Sequence, residues 1–138
     1  MKKIIVIFII LFTAGLVFTS GCIDTNKTNN TWGEKKISMD AIKVSNSTVG
    51  NRSENNDSIY YVSGSILNQN TFEALDPKIT VTTYYSNGTV FAVNDTPYLN
   101  PQNIPANGKS SFYARFDDPD KKIAKFEVKV LDAKGELV

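Results

Sequence analysis

Between residues 35 and 131, apolar side chains recur at every second position in short runs, and the runs are separated by clusters of Gly, Pro, Asn, Asp and Ser. Alternation with period two puts one row of side chains on each face of a strand, whereas an amphipathic helix needs a period of 3.6. No stretch of this region carries the helical period, so the chain here is restricted to strands. Ile37, Met39 and Ala41 share one phase and Ile42 and Val44 the other, which predicts a bulge near Ala41. Residues 49–58 are polar and read as a loop. Residues 59–67 form a strand with Tyr60, Val62, Gly64 and Ile66 on one face and Ile59, Tyr61, Ser63, Ser65 and Leu67 on the other. A second strand over 78–85 aligns Ile79, Val81, Thr83 and Tyr85. Asn87-Gly88 then predicts a type I′ hairpin joining 78–86 to 89–93, because both residues accept positive φ. Residues 96–107, interrupted by Pro97, Pro101 and Pro105, read as an irregular crossing between sheets. Strands at 110–116 and 123–131 follow, the last with Ala124, Phe126, Val128 and Val130 inward and Lys125, Glu127 and Lys129 toward water. Six or seven short strands of this kind specify an all-β fold, an immunoglobulin-like antiparallel β-sandwich over residues 35–131, with 132–138 as a C-terminal tail.

The first 21 residues have a different character. Lys2 and Lys3 precede an unbroken apolar run at 4–12 and a looser one at 13–18, and small residues follow. This is the layout of a secretory signal. The fifteen residues of 4–18 fall short of the roughly 20 that a membrane-spanning helix requires, and a retained anchor helix is the alternative. Cys22 is the sole cysteine, so it has no intramolecular disulfide partner. Ser20-Gly21-Cys22 resembles a lipobox, although Thr19 stands where leucine is usual. A lipidated sulfur would also remove the liability of an exposed thiol outside the cell. The reading is therefore a lipoprotein signal over 1–21, lipid on Cys22 holding the chain at the outer face of the membrane, and a polar tether over 22–34. Trp32 interrupts that tether and is expected to pack on the domain edge.

Charge and residue types narrow the chemistry. From Cys22 onward there are 13 basic and 14 acidic side chains, with no basic stripe to favour nucleic acid. Histidine is absent, which removes His-based triads, imidazole general bases and His-bearing zinc or copper sites. The acids Asp117, Asp118 and Asp120 stand close enough in sequence to be weighed as calcium ligands, against the alternative of a solvated, acid-capped turn around Pro119. No catalytic residue and no cofactor is expected. Seven Asn-x-Ser/Thr sequons, at Asn26, Asn29, Asn46, Asn51, Asn56, Asn87 and Asn94, are glycosylation candidates, against the alternative of polar filler. Among the six tyrosines, Tyr84 and Tyr113 are the expected outward-facing members of a possible ligand platform.

Three stretches carry a resemblance: YYVSGSILNQN, VTTYYSNGTV and NIPANGKSSFYARF. The segment Gly64-Ser65-Ile66-Leu67-Asn68, the aromatic strand ending at Asn87-Gly88, and Ile104-Pro105 leading to Phe112 resemble the FxLyD family over about residues 62–130. That resemblance implies a small immunoglobulin-like envelope domain with no catalytic residues. The Gly-Cys-Ile-Asp start and Asn-rich tether also resemble archaeal surface lipoproteins. The functional expectation is a non-catalytic binding or structural module at the cell envelope, with an unknown envelope protein or glycan as partner. An accessory subunit of a membrane transport or secretion complex is the alternative, and a carboxylate-based enzyme is a third, from another class. Intact mass spectrometry of the native protein is expected to find a chain that begins at lipid-bearing Cys22. An N-terminus at Met1 with unmodified Cys22 would overturn the anchor.

Overall fold

A computed structural model describes residues 35–136. The signal, Cys22, the tether with Trp32, Asn26 and Asn29 all lie outside the described residues. Eight strands are present: β1 (Ile42–Val44), β2 (Val49–Arg52), β3 (Ile59–Asn68), β4 (Leu75–Tyr84), β5 (Val90–Asn94), β6 (Tyr98–Asn100), β7 (Lys109–Asp117) and β8 (Lys125–Lys134). They form two antiparallel sheets. One has the order β1-β3-β7-β6, with β2 also paired to β3, and the other has the order β5-β4-β8. This is an immunoglobulin-like sandwich, with the first, second, fourth and fifth strand positions of that fold in the larger sheet.

The core is built from the inward rows of the central strands. Val62 and Ile66 of β3 and Phe112, Ala114 and Phe116 of β7 meet Ile79 and Val81 of β4, all buried. Phe126, Val128 and Val130 of β8 also point inward but stay half-buried, because β8 is an edge strand. Ala124 is exposed, contrary to the expectation, since it precedes β8 and only its N–H is engaged, with Tyr84 O at 2.8 Å.

Four local features depart from the alternation. Near Ala41 the phase change is made by a single 3₁₀ turn, Met39–Ala41, closed by Ala41 N–H donating to Ser38 O at 3.2 Å. The stretch expected to be a loop contains β2, which continues the edge begun by β1 along the same side of β3. The two differ in register by two residues, taken up in a tuck at Ser45–Thr48 that Gly64 makes possible. A Cβ on Gly64 would overlap Thr48 Oγ1 and lie 2.9 Å from Thr48 Cα. In the β4–β5 hairpin, Gly88 N–H donates to Tyr85 O at 3.0 Å and only Gly88 has positive φ, at 87°. The centre of the turn is therefore Ser86-Asn87, followed by a left-handed Gly88. It is a three-residue loop rather than a type I′ turn. Finally, β8 continues past Leu131. Ile79 pairs with Val130 and Lys78 with Asp132, so Leu131 is an extra residue and the inward phase switches to buried Ala133. The residues assigned to the tail up to Glu136 thus belong to the domain, and Glu136 O accepts from Lys35 N–H at 2.8 Å.

Asn68 closes one end of the sandwich. Its Nδ2 donates to the carbonyls of Phe72 at 2.9 Å, Ile104 at 3.1 Å and Pro105 at 3.2 Å. Its Oδ1 accepts from Asn70 N at 3.0 Å and Asn70 Nδ2 at 2.9 Å. Asn70 in turn brackets Ser38, accepting from its N–H and donating to its carbonyl, each at 3.1 Å. Among the described residues no buried side-chain nitrogen or oxygen lacks a partner. Replacing Asn68 with Ala strands Phe72 O and Asn70 N–H, and a loss of about 2–4 kcal/mol is expected. For a domain of this size that lowers Tm by roughly 10 °C or more, measurable by thermal circular dichroism. A shift below about 3 °C would show that the network is not essential.

Candidate functional site

The outer face of the larger sheet carries the most distinctive surface. Alternation sends Tyr61 of β3, Tyr113 of β7 and Tyr98 of β6 outward together. In register, Val49, Ser63, Tyr113 and Tyr98 form one row across four strands, and Asn51, Tyr61 and Arg115 form the next. The large hydrophobic side chains exposed among the described residues are Val49, Val90, Val93, Tyr98, Tyr113 and Leu131, and three of them share that first row. Tyr98 is 55% exposed, Val49 47% and Tyr113 46%. One such residue is ordinary on a surface; adjacent Tyr113 and Tyr98, with Val49 in the same row beyond Ser63, mark an interaction candidate. The rings also pack on one another. Tyr98 and Tyr113 stack with centroids 5.0 Å apart and planes at 28°, and Tyr61 meets Tyr113 edge-on at 6.1 Å and 74°.

Of the two tyrosines expected outside, Tyr113 is at the centre of this cluster. Tyr84 is half-buried and belongs to the other sheet. Tyr61 was legible as outward from its phase but was not singled out. Tyr98 gave no signal, because β6 is three residues long and lies between Pro97 and Pro101. Tyr60 faces inward beneath Arg52, whose guanidinium lies 5.5 Å from its ring centroid, and Tyr85 packs edge-on against Phe91 at 5.2 Å.

The three acids near Pro119 do not converge. Asp117 points outward and pairs with Arg115 at 3.2 Å, and Asp120 pairs with Lys122 at 3.5 Å. Asp118 is turned inward and only 1% exposed, and its oxygens are already taken. Oδ1 accepts from Lys122 N–H at 2.8 Å, and Oδ2 accepts from Ile123 N–H at 3.0 Å and the Arg52 guanidinium at 2.7 Å. Among the described residues no group of three or more His, Cys, Asp or Glu side chains is placed to hold a metal ion. Asp118 is instead the clasp of the β7–β8 crossing. Burial pushes its carboxyl up, but the Ile123 and Lys122 N–H groups and Arg52 together outweigh that and hold it below the ordinary 3.8. Arg52 was not anticipated, since a cation at an inward strand position looks like a loop residue.

Five sequons fall within the described residues. Asn46, Asn51, Asn56 and Asn87 are exposed, and Asn94 is half-buried. Three of them shape turns: Asn56, Asn87 and Asn94 each accept, through Oδ1, the N–H two residues on, at 3.1, 3.0 and 3.0 Å. This accounts structurally for asparagine at those positions. Asn51 faces the tyrosine surface, directly across from Tyr61. No helix among the described residues is long and apolar enough to cross a membrane. In comparison with known proteins, the chain matches no family model, no curated protein and no solved structure.

The Asp118 clasp predicts the acid response of the fold. The unfolded carboxyl takes up its proton near 3.8 and the folded one only at lower pH. Stability from this group is therefore complete above the ordinary carboxylate range and falls away as pH drops through and below it. Arg52→Met is expected to cost about 2–3 kcal/mol at neutral pH, below the roughly 3–5 of a fully buried pair because Arg52 keeps a quarter of its side chain in water. Asp118→Asn should flatten the fall in stability between about pH 5 and 2. Residual slope would come from Asp57 and Glu136, both also held low by hydrogen bonds. Urea titrations across pH check both; an unchanged slope in Asp118→Asn would exclude the clasp.

Proposed function

We propose that this chain is a non-catalytic, lipid-anchored envelope module whose outer sheet face docks a partner. The observation that carries the reading is the row of exposed side chains in which Tyr113 and Tyr98 adjoin and Val49 lies beyond Ser63, with Tyr61 in the next row. Aromatic side chains supply large contact area at low conformational cost and dominate binding hot spots. The signal-like start and Cys22 support attachment at the outer membrane face, and the three FxLyD-like stretches support an envelope domain. In this reading the lipid confines the domain, the tether sets its reach, and the sheet face recognises a neighbour. Glycans on Asn46, Asn56, Asn87 or Asn94 would line edges and turns, whereas one on Asn51 would share the recognition face. The second reading, an accessory subunit of a membrane transport or secretion complex, uses the same face and differs only in the permanence of the partner.

Gentle detergent extraction from native membranes, followed by quantitative mass spectrometry, tests it. The wild-type chain is expected to retain a partner at fixed stoichiometry. The pair Tyr98→Ser and Tyr113→Ser should lose it at least tenfold with an unchanged far-UV spectrum, since both side chains are exposed in the free domain. Retention by the double variant would move the site elsewhere on the molecule.

A further inference from the structure

We infer that the partner presents an acidic protein surface to this face. The inference rests on the docking reading above and adds the chemistry of the ligand. Charges on the chain as a whole nearly balance, yet the outer face of the larger sheet is unbalanced. Lys43, Leu67 and Lys109 form its cross-strand row at one end, and Arg115 stands beside Tyr61 in the row past Tyr113 at the other. Its one acid, Asp117, is tied to Arg115 at 3.2 Å. Neither Lys43 nor Lys109 has a carboxylate within 4.0 Å among the described residues, and both are exposed. Their strands flank β3, which sets the backbones of the two lysines about 10 Å apart on a rigid frame.

Between the cations lie Ser65, Ser111 and Asn100 in one row and Tyr113 with Tyr98 in the next. Tyr, Ser, Asn and Arg together are the residue types that recognise protein surfaces, with cations at the rim steering an oppositely charged partner. The area fits as well. Three strand widths of about nine residues, β7, β3 and the edge shared by β1 and β2, give a face of roughly 15 by 30 Å, to which the three residues of β6 add a corner. That is of the order of the ~800 Å² per partner found in stable complexes.

An acidic polysaccharide offers the same charge, but ring geometry disfavours it. A saccharide stacks on open aromatic faces, and here Tyr98 and Tyr113 spend a face on each other while Tyr61 meets Tyr113 edge-on. What reaches outward is a ridge with Lys43 and Lys109 at one end and the Arg115–Asp117 pair at the other, suited to a shaped protein surface.

Site-specific photocrosslinking in the full-length, membrane-bound chain tests this. A benzophenone amino acid at Tyr61, which leaves Tyr98 and Tyr113 in place, is expected to yield one discrete protein adduct. Its crosslinked peptide should lie in an Asp/Glu-rich surface segment, and the same probe at Tyr84 should yield no such adduct. Combining Lys43→Glu, Lys109→Glu and Arg115→Glu should reduce the adduct at least tenfold, and raising salt from about 0.05 to 0.5 M should reduce it in parallel. Circular dichroism of the triple variant guards against misfolding, and Lys43→Gln with Lys109→Gln offers a milder version with a smaller loss in the same direction. If the adduct is lost on Tyr98→Ser/Tyr113→Ser but survives charge reversal, the docking reading stands and the acidic-partner inference fails. Absence of any adduct at position 61 defeats both. Retardation of the detergent-solubilised chain by alginate, abolished by the same charge reversals, would assign the face to polyanionic saccharide and overturn the protein partner.

Discussion

Asn68 sits where the end of β3, the β3–β4 connection and the segment before β7 come together without a continuous ladder between them. One amide group does the work that a ladder does elsewhere: three carbonyls accept from its Nδ2 and a neighbouring asparagine donates twice to its Oδ1. A carboxylate could not donate, and an apolar residue would leave Phe72 O and Asn70 N–H without a partner, with Ile104 O and Pro105 O keeping only the N–H groups of Ala74 and Gly108. The network extends through Asn70 to Ser38, so the chain entering the sheet is fastened by the same cluster that closes the loops. Ile104, fully buried and bridged to Ala74, then plugs the core beneath it. Position, rather than number, gives these bonds their weight.

The opposite end is held by a different chemistry. There the chain must cross from β7 to β8 between sheets, and strand hydrogen bonds run out at Asp117. Asp118 replaces them, donating its own N–H to Ser58 O at 2.7 Å and accepting from Lys122, Ile123 and Arg52. A buried carboxylate with three partners is satisfied only if every one is in place, and that demand places Arg52 on the inward side of β2. β2 has no apolar inward row because that demand takes one inward position and the Tyr60 ring, which a Cβ at Gly50 would overlap, takes the space of the other. Gly50 and Arg52 occupy the inward positions, and Tyr60 leans over Arg52.

These two ends also mark what could be read from residue order alone. The long strands were legible, because β3, β4 and β7 keep strict alternation over their length and bury one row almost completely. Where a strand's inward residue is a glycine or a cation, as in β2, periodicity is silent, since the signal is hydrophobicity rather than backbone direction. Where one residue is inserted, as at Leu131, the phase inverts and the strand seems to end. Asn87-Gly88 correctly marks a hairpin, yet the dipeptide serves a two-residue or a three-residue loop equally well, and the register that decides between them lies outside the dipeptide. The Tyr61–Tyr113–Tyr98 cluster could not be assembled from sequence, because it depends on β7 lying between β3 and β6, which is a fact of topology. For the same reason the run Asp117, Asp118 and Asp120 looked like a cluster and is not one: consecutive strand residues face opposite ways, and Pro119 turns the chain before Asp120.

Because the tyrosines stand on central and edge strands rather than on loops, their mutual positions are set by register. Shifting β7 by one residue against β3 would send Tyr113 and Arg115 into the core and bring Phe112 and Ala114 to the surface. The cost of exposing that inward row is what fixes the outer one. Asn68 at one end of β3 and Asp118 just beyond β7 pin the two strands at their opposite ends, so the contacts that hold the fold also hold the spacing of the exposed rings and cations. A loop-borne site can be retuned by local insertion with little effect on stability. A face of this kind cannot: it can change its side chains, one position at a time, but its geometry belongs to the sandwich.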